Sequence, residues 1–279
     1  MNLNTPLVIN LALTGMVPRK KDNSNIPLTA EEIATDVQRC FEAGARVFHI
    51  HARNSDEQPI YHKEVFAGII REIKKKVPAA VICVTTSGRL YRSFEERGDV
   101  LDLDGDVKPD LASLTLGSLN FPKQASVNEP EMITKLAARM AERGIVPELE
   151  IFDFGMLDYA HYLIERGLLK PPFVFNLLLG SLGTLAATPL NLALMVERLP
   201  RGAFWSAAGI GRFQFSMNAL GVAMGGNVRT GLEDNLYMDT EKKELASNEK
   251  LVKRIAGYAA ALERQLATPD ETRKLLGIA

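Results

Sequence analysis

Eight short runs rich in apolar and β-branched residues recur along this chain at intervals of roughly 30 to 40 residues, with helical periodicity filling the gaps. They cover residues 7–13, 46–51, 80–86, 111–116, 148–152, 173–178, 203–207 and 226–229. Parallel strands need crossovers of about a dozen residues, usually helices, and eight such units close most economically into a barrel. The expected fold is therefore α/β, a TIM (β/α)8 barrel, with a doubly wound open sheet as the alternative. At about 150 residues per domain the length would allow two domains. No linker rich in Pro, Gly or Ser divides the 279 residues, however, so a single domain over 1–279 is expected.

The helical segments carry their own boundaries. Segment 29–44 opens with Thr29 followed by Glu32, a capping box, and closes on Gly44. Segment 129–144 has Asn128 and Pro130 in cap and first-turn positions and also ends at glycine. In segment 63–77, Val65, Phe66, Ile69, Ile70 and Ile73 fall at helical spacing. Segment 248–266 reads as the last helix.

With 33 Lys+Arg against 34 Asp+Glu, the net charge of -1 gives no broad field for nucleic acid or anionic lipid. Any anion site must be local. Cys40 and Cys83 are too few for a disulfide framework and form no metal-binding doublet, so both read as reduced core residues. No run of about 18 apolar residues spans a membrane. The opening MNLNTPLVINLALTGM has no basic n-region, and Asn10 interrupts its apolar run. A soluble, cytoplasmic protein is the expectation.

Catalytic groups of such barrels lie at the C-terminal ends of strands or in the loops that follow. There, VFHIHAR places His49 and His51 two apart, on one strand face, where both imidazoles can reach one divalent ion. Alone, this pair is equally compatible with two hydrogen-bonded histidines. NVRTGLEDN, after the eighth run, adds Arg229, Glu233 and Asp234. One carboxylate could ligate while the other, held by the arginine, stays free as a base, leaving an open position on the metal. The bland reading is an acidic helix N-terminus.

PELEIF puts Glu148 and Glu150 on one face of the fifth strand, and each buried carboxylate needs a partner. Glu150, nearer the mouth, is the expected functional one, with Arg229 as its partner. TTSGR (85–89) and SLTLGSLNF (113–121) offer hydroxyls and free N–H groups for an anionic oxygen. AAGIGRFQF, with Gly209, Gly211, Arg212 and Gln214, is not a dinucleotide fingerprint, but a phosphate cradle at the seventh and eighth strands is common in barrels. LLGSLGTLAATP gives a second glycine-rich turn. The calcium-like run 102–110 has a misplaced glycine, and His62, His161 and Lys74 to Lys76 read as structural or solvated.

With HIHAR, LTGMVP, ASLTLGSLNF, PELEIFD and GNVRTGLEDN in this order, essentially the whole chain resembles the β-keto acid cleavage enzyme family. The resemblance implies a zinc-dependent TIM barrel, usually a homotetramer, that converts a β-keto acid and acetyl-CoA into acetoacetate and a new acyl-CoA. It implies His49, His51 and Glu233 as Zn2+ ligands, and Asp234 as the base, coupled to Arg229 and Glu150. Thr86, Ser87 and Gly88 would hold the substrate carboxylate, with Ser113 and Thr115 from the fourth strand. Gly209, Gly211, Arg212 and Gln214 become the candidate CoA contacts.

Two positions depart from the family pattern. Val17 and Pro18 stand near where members that bind an amino-bearing acid have a glutamate, and Thr115 stands where asparagine is common. The expected substituent is thus neutral, apolar or acidic, with Arg19, Lys20 or Arg89 available for an acidic one. The alternatives are a metal-dependent hydrolase on a TIM barrel and a non-catalytic barrel that senses a CoA ester. Hydrolases of that type carry further histidine ligands, which this chain lacks.

Overall fold

All eight runs are strands of one closed parallel barrel in the computed structural model, which describes residues 4–278, so the outermost residues of the expected 1–279 domain lie outside it. The strands are β1 (Ile9–Ala12), β2 (Val47–Ile50), β3 (Val81–Val84), β4 (Leu111–Thr115), β5 (Val146–Ile151), β6 (Val174–Leu179), β7 (Phe204–Gly209) and β8 (Asn227–Thr230). Each pairs with its neighbours in sequence, and β1 closes the ring on β8 with Asn10 opposite Arg229. This is a TIM barrel, and the open-sheet alternative is excluded.

The crossovers are α1 (Ala30–Glu42), α2 (Lys63–Lys76), α3 (Phe94–Gly98), α4 (Pro130–Arg143), α5 (Phe154–Glu165), α6 (Pro189–Glu197) and α7 (Gln214–Ala223), and α8 (Asn248–Ala261) and α9 (Pro269–Leu276) follow the last strand. The Thr29–Glu32 capping box forms as expected. Glu129, not Asn128, caps α4. The Asn128 amide instead accepts from Arg97 Nη2 at 2.7 Å and donates to the Gly117 carbonyl at 3.0 Å.

The expectation of a last helix over 248–266 is corrected. Beyond α8 the chain must pair with the first strand's entry: Leu7 N–H donates to Gln265 O and Ala267 N–H to Leu7 O. Arg264 pins this break by donating to the carbonyls of Thr5, Val222 and Gly226. Helix α9 then starts from its own capping box, Thr268 with Glu271.

Period-two alternation stacks the barrel interior in layers. At the bottom Val8, Val47, Val81, Leu111 and Val174 pack with Ala267 and Leu276, which seal that end. Two residues further along each strand stand the buried Asn10, His49, Cys83, Ser113, Glu148 and Asn176. The next step reaches the mouth and its charged groups. Outward strand residues such as Phe48, Ile82, Leu149 and Phe175 pack beneath the helices.

Candidate active site

His49 lies within β2, opposite Ala12 of β1 and Cys83 of β3, and His51 follows the strand end on the same face. Their Nε2 atoms are 3.1 Å apart. Glu233, in the loop after β8, brings Oε1 to 3.3 Å from His51 Nε2 and Oε2 to 3.8 Å from His49 Nε2. Donors about 2.0–2.1 Å from a tetrahedral ion stand about 3.3 Å from one another. The three side chains therefore fit a divalent metal, and two imidazoles with one carboxylate are a donor set suited to zinc. A second observation agrees: Glu233 Oε2 is buried with no hydrogen-bond partner.

Two glycines make room for this carboxylate. A Cβ on Gly15 (φ +68°) would lie 2.6 Å from Glu233 Cγ, and one on Gly231 (φ +138°) would lie 2.1 Å from the Ala12 carbonyl oxygen. The Gly231 carbonyl accepts from the N–H groups of Asp234 and Asn235, while Glu233 N–H donates to Ala12 O. The turn after β8 thus folds back over β1 and aims both acids inward.

Sequence reasoning assigned function to Glu150 and passed over Glu148. The structure gives Glu148 a distinct place: fully buried, its Oε2 lies 3.1 Å from His49 Nδ1 and its Oε1 accepts from Asn10 Nδ2 at 2.6 Å. Burial opposes its ionisation, but His49, Arg229 and Asn10 hold its carboxyl down at about 2. The signal was available in the alternation of PELEIF, which puts both glutamates on the inner face. Burial pushes His51 down to about 4, leaving its ring neutral and able to donate a lone pair.

Arg229, 1% exposed, gathers the remaining charges. Its Nε donates to Asp234 Oδ2 at 3.0 Å, Nη1 to Glu150 Oε1 at 3.0 Å, and Nη2 lies 3.3 Å from Glu233 Oε1. Burial, reinforced by the Glu233 charge, raises the Asp234 carboxyl despite Arg229. Burial also disfavours the Glu233 charge, yet His51, Arg229 and His49 hold it well below the usual carboxylate range. Thr115 donates its hydroxyl to Glu150 Oε2 at 2.7 Å.

These groups line a cavity of about 180 Å³ together with Thr85, Ser87, Arg89, Phe121, Phe152 and Leu178. Thr86 and Ser113 do not line it: both are buried, with the Thr86 hydroxyl donating to Ser113 O at 2.6 Å. Thr85 faces the cavity in place of Thr86. Gly88 turns toward the loop after β4, where its carbonyl accepts from Val127 N–H at 3.3 Å. Gly211 and Arg212 line a neighbouring groove with Val17, Asn235 and Tyr237. Gly209 packs beneath the Phe213 backbone, and Gln214 is buried, donating to Gly231 O at 3.0 Å.

Val17 and Pro18 lie at the cavity wall. Arg19 donates to the carbonyls of Asp56 and Glu57 and to Gln58 Oε1, and Lys20 pairs with Glu32 at 2.8 Å. Of the three basic residues named above for an acidic substituent, only Arg89 lines the cavity.

Comparison with known proteins identifies the family. The family model described as beta-keto acid cleavage enzyme matches residues 6–278. The 3-keto-5-aminohexanoate cleavage enzyme of Fusobacterium nucleatum is 38% identical over 274 residues, 98% of each chain. The 3-oxoadipate:acetyl-CoA acetyltransferase of Cupriavidus necator is 38% identical over 280 residues, 99% of this chain and 96% of that one. Among solved structures, a ternary complex of ObcA with C4-CoA adduct and oxalate superposes with a TM-score of 0.82 at 21% identity, over 91% of this chain and 68% of that one, a likeness of fold. The chain belongs to the β-keto acid cleavage enzyme family.

Proposed function

We propose that this barrel, acting as a single catalytic domain, exchanges acyl groups between a β-keto acid and acetyl-CoA, releasing acetoacetate and a new acyl-CoA, with Zn2+ held by His49, His51 and Glu233. The observation that carries this reading is the shared cavity: Asp234 and the three candidate ligands open onto one space. When bound there, zinc would act as a Lewis acid toward the keto acid's oxygens.

The chain's own residues account for the rest. Asp234 removes the proton between ketone and carboxylate, its raised carboxyl bringing its basicity toward working pH. Arg229 aims Asp234 and stays charged throughout, so it also stabilises negative charge as it develops on oxygen. Glu150, fixed by Thr115, holds the opposite edge of that guanidinium. Ser87 is placed for the substrate carboxylate, with Thr85 beside it. Thr86, Gly88 and Ser113 support the loop from behind. Gly211 and Arg212 face the groove suited to the CoA arm, with Gly209 and Gln214 shaping its turn.

The assembly proposed is a homotetramer, for which Leu182, Leu190 and Leu194, exposed on and before α6, are candidate contact residues. Among the described residues no helix is long and apolar enough to cross a membrane, which accords with a cytoplasmic location. The hydrolase alternative gains no support, because His62 and His161 both lie outside the cavity. The test is acetoacetate formation from paired substrates: omission of acetyl-CoA must abolish it, and turnover without acetyl-CoA overturns the reading.

A further inference from the structure

Among the described residues Arg89 makes no salt bridge, and Glu233, Glu150 and Asp234 act on its charge only across the cavity. It is half-buried at the cavity wall after β3, its guanidinium stacked 3.7 Å above the Phe121 ring. Its Nε is buried with no hydrogen-bond partner, and among the described residues no carboxylate lies within ion-pair distance. The neighbouring buried arginines are spent. Arg53 donates to the carbonyls of Gly15, Glu57 and Pro18, Arg97 to Thr86 O, Val127 O and Asn128, and Arg229 to its acids. The cavity acids Glu150, Glu233 and Asp234 are engaged by Arg229 and the imidazoles. A partly desolvated guanidinium held in this way is a receptor for an anion arriving from solution.

The remaining wall states what separates that anion from the reacting centre. Phe121, Phe152, Leu178 and Ile210 come from the ends of four consecutive units, β4 to β7, and face the cavity. His49, His51, Glu233 and Asp234 come from β2 and the loop after β8, on the other arc of the ring. An acid anchored by its keto end on the charged arc lays its chain on the apolar arc, whose first member carries Arg89. We propose that Arg89 is a specificity-determining residue that pairs with the distal carboxylate of a β-keto dicarboxylic acid. The assignment rests on the acyl-exchange reading above.

With 3-oxohexanedioate, the bond between C2 and C3 breaks and C2 joins the acetyl carbonyl carbon, giving acetoacetate. The thiolate released from acetyl-CoA takes C3, giving succinyl-CoA. No oxidant, reductant or water is consumed.

The test compares 3-oxohexanedioate with 3-oxohexanoate, which differs only in bearing a methyl group where the other has its distal carboxylate, in wild type, Arg89→Gln and Arg89→Lys. Wild type is expected to favour the dicarboxylate in kcat/KM by about 10⁴-fold, the scale on which a site built for a polar group rejects the analogue that lacks it. Arg89→Gln should lose that preference, mainly through KM, and leave 3-oxohexanoate turnover and the acetyl-CoA KM unchanged. Arg89→Lys should recover part of it. An equal loss on both acids would place Arg89 on their common carboxylate, and a change confined to the acetyl-CoA KM would place it on CoA; either overturns the proposal. So does turnover of 3-oxohexanoate with no gain from the second carboxylate, while leaving the acyl-exchange reading intact. Acetoacetate from neither acid overturns both.

Discussion

Glu148 Oε2 stands 3.1 Å from His49 Nδ1, on the far side of the ring from the nitrogen that faces His51 and Glu233. The carboxylate fixes the tautomer in which Nε2 is free to ligate, and it makes that nitrogen more basic. The first prediction follows from this pair. Glu148→Gln should weaken zinc binding about 10- to 100-fold, read by competition with a chromophoric chelator. An affinity equal to wild type would show that Glu148 does not orient the ring.

Asp234→Asn tests the base. It keeps an acceptor for Arg229 but removes the proton-accepting charge, so kcat should fall by about 10²–10⁴-fold. Zinc content measured by mass spectrometry should not change, because Glu233 is left in place. Retained activity would remove Asp234 from the proton transfer.

Chelation provides a separate check. Removal of metal with a strong chelator should abolish acetoacetate formation, and one equivalent of zinc should restore it. It should also lower the Tm, since a ligand that binds only the folded chain stabilises it by mass action. A chelated enzyme with full activity would contradict the role given to His49, His51 and Glu233.

Gly231→Ala should destabilise the protein by about 2–4 kcal/mol, because the new Cβ meets the Ala12 backbone at a left-handed φ. Denaturant unfolding measures this. Activity should fall with it even at temperatures where the variant stays folded, because the same turn aims Glu233 and Asp234.

Asp36 yields a pH dependence far from the site. Burial, reinforced by the Glu249 charge, raises its carboxyl above 3.8, and the 2.7 Å hydrogen bond from Asn248 Nδ2 and the charges of Arg39 and Lys20 oppose this. The folded state therefore holds that proton more tightly than the unfolded chain does, and Asp36 costs stability as pH rises through its raised value. Asp36→Asn should lose less Tm than wild type between pH 4 and neutrality. Parallel Tm profiles for the two proteins would rule out this contribution.

The barrel was legible in the sequence because strands buried on both faces read as dense apolar runs, and all eight lie where those runs fall. Alternation also brought out His49 with His51, and Glu148 with Glu150. What alternation could not show was depth: two residues along β5 separate a group behind an imidazole from a group at the mouth. Thr85 rather than Thr86 faces the cavity because it continues the inward alternation of Val81 and Cys83 just past β3, a signal that the motif-based choice of Thr86 did not use. Arg19, Lys20 and Arg89 were indistinguishable as basic residues until the chain brought Asp56 to Gln58 to the first and Glu32 to the second. Helix α9 carried its Thr268–Glu271 box openly, but the preceding pattern ran past the break at Leu262 that Arg264 and Leu7 impose.

The division of the barrel mouth into a charged arc and an apolar arc bears on how such proteins diversify. The candidate reacting groups His49, His51, Arg229, Glu233 and Asp234 sit on β2, β8 and the loops after them, with Glu150 reaching across from β5, whereas the apolar wall of Phe121, Phe152, Leu178 and Ile210 belongs to β4 to β7. On the proposed reading, a substitution at Phe121, Phe152, Leu178 or Arg89 changes which acid is accepted without touching the candidate metal ligands or Asp234. Chemistry and substrate choice would then be inherited on largely different strands of one ring.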